Sequence, residues 1–196
     1  KLIFMSTSSS ASAALAPAGG LRRPVTDWLF AVLTLALGAW GFAAYGVAMD
    51  GYEKAILAAA VPSVIAMGWF WRPLRLLLVL VGLATWGAMT LYQQHTDAHG
   101  ADLAYADQVF WLKYFLSSQS AILWMSVLFF MSTAFYWIGL VARSATATKL
   151  GSRLTWAGIF MALVGTLVRW FESHQIAPDI GHIPVSNLYE VFVLFA

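Results

Sequence analysis

The sequence predicts an all-α, polytopic integral membrane helix bundle, with five full transmembrane helices plus the start of a sixth. Hydrophobic residues make up 61% of the chain and charged residues only 10%, whereas an ordinary globular domain is about 25% charged. Five stretches are long and apolar enough to supply the roughly 20 residues that one helical crossing of a bilayer needs. These stretches are residues 28–48, 52–71, 73–92, 120–142 and 154–171.

The residues before the first span form a separate segment. Residues 1–27 are rich in Ser, Ala, Gly and Pro, and they lack the basic start and the apolar core of about 7–15 residues that define a secretory signal. We interpret them as a disordered cytoplasmic leader and residues 28–196 as an N-terminal transmembrane bundle. The sixth span begins near Asn187, and the few apolar residues after it cover only about 10 Å at 1.5 Å per residue. We therefore expect the chain to be part of a longer protein.

The distribution of Lys and Arg predicts the orientation. Basic residues cluster in alternate segments, and cytoplasmic loops of membrane proteins carry an excess of them. The expected arrangement is a multi-pass membrane protein with a cytoplasmic N-terminus and with residues 181–190 on the outer face. The cytoplasmic segments carry Arg22, Arg23, Arg72, Arg75, Arg143, Lys149 and Arg153, and the alternate segments carry Lys54, Lys113 and Arg169.

Several functional classes are disfavoured by composition. The chain has no cysteine, so it can form no disulfide, thiolate metal site or cysteine nucleophile. No ionisable residue lies at the middle of the five full spans, whereas proton relays and ion pathways require such residues. The basic residues are spread over three short segments, so the net charge of +2 does not predict a nucleic-acid partner.

Small residues recur at helical spacing in the first and fifth spans. They predict faces where helix backbones approach closely, and we interpret them as packing positions. They are Gly38, Gly41 and Ala44 in the first span, and Gly158, Ala162 and Gly165 in the fifth.

The segment between the third and fourth spans is polar and then apolar. His95, Asp97 and His99 could contact a metal, but zinc requires three or four positioned ligands, so we predict a solvated loop and no metal site. The apolar residues that follow predict a short interfacial helix on the outer face, near residues 105–118. Such a helix lies on the bilayer surface or docks on the span ends.

The stretch GHIPVSNLYE, residues 181–190, combines a turn with a helix start. Pro184 ends any preceding helix. Asn187, three residues before Glu190, makes a capping-box arrangement, with Ser186 as the alternative cap. A helix start at a membrane surface also presents free N–H groups and partial positive charge to an anionic group such as a carboxylate.

A cap does not require every residue of this stretch. Tyr189 and His182 remain unexplained, and Arg169, Trp170, Glu172 and His174 precede them closely. The candidate residues for binding such a group are Tyr189, Asn187, Glu190 and His182, and the family resemblance described next implies that they are cofactor-binding residues. No catalytic residue can be assigned.

GHIPVSNLYEVFVLF resembles the Gly-His-x-Pro-x-Ser-Asn-x-Tyr-Glu segment of the System II cytochrome c biogenesis proteins. These are cytochrome c synthetases of the CcsA/ResC type, often named CcsB or ResC in bacteria. The stretches LKYFLSSQSAILWM and LVRWFESHQIAPDIGH are also similar to the bacterial branch. The resemblance implies that the chain is part of a heme lyase of the bacterial inner membrane, which delivers heme b to the outer, periplasmic face and supports its thioether attachment to apocytochrome c. It also implies a ResB-type membrane partner and thiol-reducing maturation proteins, in addition to membrane lipid.

One part of the family pattern is absent. The tryptophan-rich signature Trp-Gly-x-x-Trp-x-Trp-Asp does not occur in this sequence, so whether the chain is itself an enzyme stays open. The family's heme-ligating histidines flank that signature, downstream of the Ser-Asn-x-Tyr-Glu segment. We therefore expect the axial ligands to lie outside this chain, and none is transferred to its four histidines. The alternative function is a non-catalytic polytopic scaffold or anchor subunit, and a small-solute carrier is a weaker third.

Overall fold

The computed structural model describes residues 23–47, 49, 51–97 and 100–176. Within them, five helices are long and apolar enough to cross a membrane. They confirm the predicted fold class: the chain is an all-α, multi-pass membrane protein. The predicted sixth span and most of the predicted leader lie outside the described residues. The helices are α1 (Val25–Tyr45), α2 (Gly51–Phe70), α3 (Pro73–Tyr92), α4 (Ser118–Val141) and α5 (Ala145–Ile176).

The fifth helix differs most from its predicted bounds. It contains 32 residues, where the sequence predicts a span of residues 154–171. Its first turn is capped because Ser144 Oγ accepts a hydrogen bond of 3.3 Å from the Ala147 N–H, and such caps stabilise helix starts. Lys149 and Arg153 therefore lie on the first turns of α5, and the predicted basic loop is a short turn.

The chain forms two compact units, Lys1–Arg72 and Pro73–Ala196. In the first unit, α1 packs against α2. A side chain at Gly38 would place its Cβ 2.5 Å from Val61, whereas nothing lies within 4 Å of the same position at Gly41. Of these two predicted packing glycines, Gly38 thus faces α2 and Gly41 does not.

One end of this first unit carries a polar cluster. Asp27 is buried, and its carboxylate lies 3.6 Å from Arg72 Nε. The Trp69 indole N–H donates to the Asp27 carbonyl oxygen at 3.0 Å, and the Arg23 guanidinium lies 4.2 Å from the centre of the Trp69 ring. The start of α1 and the end of α2 are thereby joined.

In the second unit, α4 and α5 form an antiparallel hairpin. Gly151, Gly158 and Gly165 follow each other at seven-residue spacing on α5. An added Cβ would lie 2.8 Å from the Phe129 ring at Gly158 and 3.2 Å from the Ala121 Cβ at Gly165. The packing role predicted for Gly158 and Gly165 is confirmed, because both glycines allow α4 to approach α5 closely.

The turn between these helices contains the 6→1 hydrogen bond of a Schellman motif, from the Ser144 N–H to the Gly139 carbonyl. The Ala142 N–H donates to the Ile138 carbonyl at 2.8 Å, and the Ser144 N–H donates to the Gly139 carbonyl at 3.0 Å. Arg143, between them, has a φ of 48°. This left-handed position is normally taken by glycine.

Helix α3 packs against α5, and the core lies between them. The segment from α3 to α4 contains a β-hairpin of β1 (Thr96–Asp97) with β2 (Gly100–Ala101), a 3-10 helix (Leu103–Asp107) and a π-helical turn (Leu112–Leu116). The single helix predicted near residues 105–118 is thus two short helical pieces. The buried core residues of this unit are Leu77, Val81, Ala88, Tyr92, Leu112, Val164 and Val168.

Candidate functional site

A buried carboxylate lies near the end of α5. The Glu172 side chain receives a hydrogen bond of 2.7 Å from the Tyr92 hydroxyl and one of 3.0 Å from the Ser118 backbone N–H. The Ser118 hydroxyl donates to its second oxygen. All three residues are less than 9% exposed. Burial of a charged group is tolerable only when hydrogen bonds replace its water, and this carboxylate has three donors.

The three residues come from three helices. Tyr92 is the last residue of α3, Ser118 is the first of α4, and Glu172 lies in the final turns of α5. The first N–H groups of a helix have no partner within it, and the positive end of the helix dipole favours an adjacent anion. Glu172 therefore caps α4 from a neighbouring helix while it holds the end of α3. We call Tyr92, Ser118 and Glu172 the carboxylate clasp.

Apolar residues cover the clasp. The Tyr92 ring lies 5.9 Å from the Phe171 ring, and the fully buried Leu112 side chain belongs to the same core. Leu112 begins the π-helical turn, which leads directly into α4 through Ser117. Since Leu112 is buried in the core, this turn is docked on the helices of the unit.

The last turn of α5 has its own polar contacts. His174 Nδ1 lies 2.9 Å from the Trp170 carbonyl oxygen, and because a carbonyl only accepts, Nδ1 is the donor. The Ser173 hydroxyl also donates to this oxygen, at 2.7 Å. The Trp170 carbonyl thus accepts from two residues of the next turn of α5, Ser173 and His174. Glu172, in contrast, has its partners on α3 and α4.

An aromatic cluster lies where the π-helical turn meets α4. The Phe115 and Trp124 rings are stacked, with 5.7 Å between centroids and 5° between planes. The Trp124 indole N–H donates to the Tyr114 carbonyl oxygen at 2.7 Å. Phe110 and Trp111 contact Phe115 and are more than half exposed. Aromatic residues at this position, just before a span, are typical of a membrane–water interface.

The histidines described by the structure do not form a metal site. The His95 ring lies 3.7 Å from the Tyr105 ring. Among the described residues, no group of three or more His, Cys, Asp or Glu side chains could hold a metal ion. His99 lies outside these residues.

The sequence-predicted site residues Tyr189, Asn187, Glu190 and His182 all lie in residues 177–196, outside the described part of the chain. They stay predictions. The sequence analysis did not identify Tyr92 and Ser118. A partial signal was available: both lie at or next to a span boundary on the same predicted side of the membrane as Glu172, and both carry a hydroxyl.

Comparisons of the chain with protein-family models, with curated proteins and with solved structures gave no match.

Proposed function

We propose that the chain is part of a heme-handling cytochrome c synthetase of the System II CcsA/ResC type. In this proposal it delivers heme to the outer face of a bacterial inner membrane and supports thioether attachment to apocytochrome c. The observation that carries the proposal is the ten-residue stretch GHIPVSNLYE, which resembles the segment of that family. The multi-pass helical fold supports it, because transfer of heme between two faces of a membrane needs a membrane-spanning protein.

The clasp supports a specific contribution of the described residues. Only four residues separate GHIPVSNLYE from the last described residue, Ile176. Glu172 ties the end of α5 to α3 and α4, so it limits where the chain that follows can start. We infer that the clasp is a positioning element for the stretch, and that Tyr189 and Asn187 act there as donors to a carboxylate of heme.

The described residues do not fit a heme-iron site. Of their two histidines, His95 packs its ring on Tyr105, and His174 is an exposed residue at the end of α5. We therefore assign no iron ligand to these residues. Heme itself supplies the vinyl groups that react, and the protein supplies binding and orientation.

The proposal places the N-terminus in the cytoplasm and residues 181–190 outside. Because the chain has no native cysteine, single cysteines report orientation without interference. We expect a membrane-impermeant thiol reagent to label Ala177→Cys in intact cells and Thr146→Cys only after permeabilisation. The reverse pattern would contradict the proposed orientation.

A maturation assay tests the function. The full-length protein is expressed in a bacterial strain without its own cytochrome c synthetase, and covalent heme on a reporter cytochrome is measured after denaturing electrophoresis. We expect Tyr189→Phe, Asn187→Ala and Glu190→Ala to lower the yield while the protein level in the membrane stays normal. Tyr114→Phe is the matched control, because it removes the same hydroxyl from an exposed tyrosine outside the stretch.

Each outcome decides between the two hypotheses. If the unchanged protein yields no holocytochrome with its ResB-type partner present, the proposal is wrong. Normal maturation by all three variants at normal protein level would reduce GHIPVSNLYE to a helix start, and the scaffold or anchor function would then be favoured.

A further inference from the structure

An apolar groove lies between α3 and α5, far from the clasp. Its volume is about 390 Å³, and four α3 residues from Pro73 to Leu80 line one side. Trp156, Ala157 and Phe160 of α5 line the other. The volume falls in the range of roughly 300–1,000 Å³ that ligand sites occupy. None of the described residues that line the groove is ionisable, so an occupant must be apolar where it contacts them.

The position of the groove along the helices follows from the clasp. Tyr92 and Glu172 are hydrogen-bonded at one end of α3 and α5. Leu76 and Trp156, which line the groove, each lie about 24 Å before them at 1.5 Å per residue. A bilayer core is about 30 Å thick. The groove therefore opens to the membrane near its opposite face, at the level where α3 begins.

Two basic residues precede the groove on α5. Residues three, four or seven positions apart share one face of a helix. Arg153 stands three residues before Trp156 and four before Ala157, and Lys149 stands seven before Trp156. Both basic side chains are exposed. They continue the groove-lining face of α5 beyond the apolar core, at the level of lipid headgroups.

We propose that this groove binds one anionic phospholipid. An acyl chain lies between α3 and α5, and Lys149 and Arg153 bind the phosphate. The charge pattern carries the proposal, because an apolar groove ending in two cations matches an acyl chain ending in an anion. Long basic side chains readily extend from apolar surface to an interface. The proposal does not depend on heme or on cytochrome c maturation.

The chain provides a matched control for the charges. Arg75 is basic like Lys149 and Arg153, and it lies in the first turn of α3, at the same end of the helices as the groove. It is two residues before the groove residue Leu77, and at 3.6 residues per turn this places it on the opposite side of the helix. Loss of Arg75 therefore changes the net charge near the same face of the membrane without changing the groove face.

The experiment measures lipid binding to the purified full-length protein by native mass spectrometry. Phosphatidylglycerol and phosphatidylcholine with identical chains are titrated separately, together with inorganic phosphate and a short-chain phosphatidylglycerol. We expect one phosphatidylglycerol to bind in preference to phosphatidylcholine. The apparent affinity should fall roughly fivefold for each charge removed in Lys149→Gln and Arg153→Gln. Arg75→Gln should leave it within about twofold.

The acyl part has a separate test. Ala157→Trp fills the groove and leaves both charges in place. We expect it to weaken the binding of phosphatidylglycerol as strongly as Lys149→Gln and Arg153→Gln do when combined in one protein. Leu123→Trp, on an exposed part of α4, is its control. If Ala157→Trp does not fold, Ala157→Leu provides the same comparison.

Three results would overturn the proposal. They are equal binding of the two long-chain lipids, equal losses in Arg153→Gln and Arg75→Gln, and unchanged affinity in a folded groove-filling variant. Binding of inorganic phosphate or the short-chain lipid as tightly as the long-chain lipid would also exclude an acyl chain in the groove.

Discussion

Replacement of Glu172 by Ala tests whether the carboxylate clasp stabilises the second unit. The change removes the acceptor of three hydrogen bonds, from the Tyr92 hydroxyl, the Ser118 N–H and the Ser118 hydroxyl. Side-chain hydrogen bonds in membrane proteins contribute about 0.6 kcal/mol on average and up to about 1.7 kcal/mol. Three of them predict a loss of about 2–5 kcal/mol in the free energy of unfolding.

The assay is reversible unfolding in mixed micelles with increasing denaturing detergent, followed by circular dichroism. Ser173→Ala is the matched control, because Ser173 is equally buried at 8% exposure but its hydroxyl donates within its own helix, to Trp170. Glu172→Gln should lower the free energy of unfolding less than Glu172→Ala does, because an amide oxygen still accepts from the Tyr92 hydroxyl and from the Ser118 N–H.

A double-mutant cycle separates the clasp from general packing. Tyr92→Phe alone removes one hydrogen bond, so we expect a loss of about 0.6–1.7 kcal/mol. In the Glu172→Ala background the same change should cost almost nothing, because residues that share one network are non-additive. Equal losses in both backgrounds, or a Glu172→Ala loss no larger than that of Ser173→Ala, would refute the clasp.

Three further predictions use the same unfolding assay. Gly158→Val should lower the free energy of unfolding by about 1–3 kcal/mol through overpacking against Phe129. Gly82→Val should show no such loss, because nothing lies within 4 Å of an added Cβ at Gly82. Equal losses in the two variants would contradict this. Arg143→Gly should raise the free energy of unfolding by about 1 kcal/mol, because the left-handed conformation costs residues other than glycine about 1–2 kcal/mol. Arg143→Ala should show no such increase. Thr85→Val should leave the free energy of unfolding unchanged or raise it by about 1 kcal/mol, because the buried Thr85 hydroxyl has no hydrogen-bond partner among the described residues. Thr85→Ser keeps the hydroxyl and should not raise it. A clear loss of stability in Thr85→Val would indicate a partner.

The spans were predictable because they depend on total hydrophobicity, but the inward faces were not. Val164 and Val168 of α5 are fully buried, while Leu163 and Leu167 are each 37% exposed. All four are apolar, because lipid is as apolar as the helix interface. Periodicity of hydrophobic residues therefore cannot distinguish the two faces. Small residues were a better guide, as Gly158 and Gly165 demonstrate.

The span-end positions of Tyr92 and Ser118 were visible in the sequence, but their pairing with Glu172 was not predictable, for a different reason. Glu172 is separated along the chain by 80 residues from Tyr92 and by 54 from Ser118. No local pattern links residues at such distances. The start of α5 was misjudged because charge marks the limit of a span, whereas a helix ends only where its backbone or its caps require it. Lys149 and Arg153 end the apolar run but continue the helix.

The length of α5 has a consequence at the membrane surface. Its 32 residues extend about 48 Å at 1.5 Å per residue, which exceeds the bilayer core of about 30 Å. Because Glu172 holds its far end level with the end of α3, the excess projects on the side of Ala145. Ala145, where α5 begins, then lies about 12 Å above the level of Arg153 at 1.5 Å per residue, past a headgroup layer of about 5–8 Å. The turn at Arg143 directly precedes it. A soluble protein could touch this turn without touching lipid.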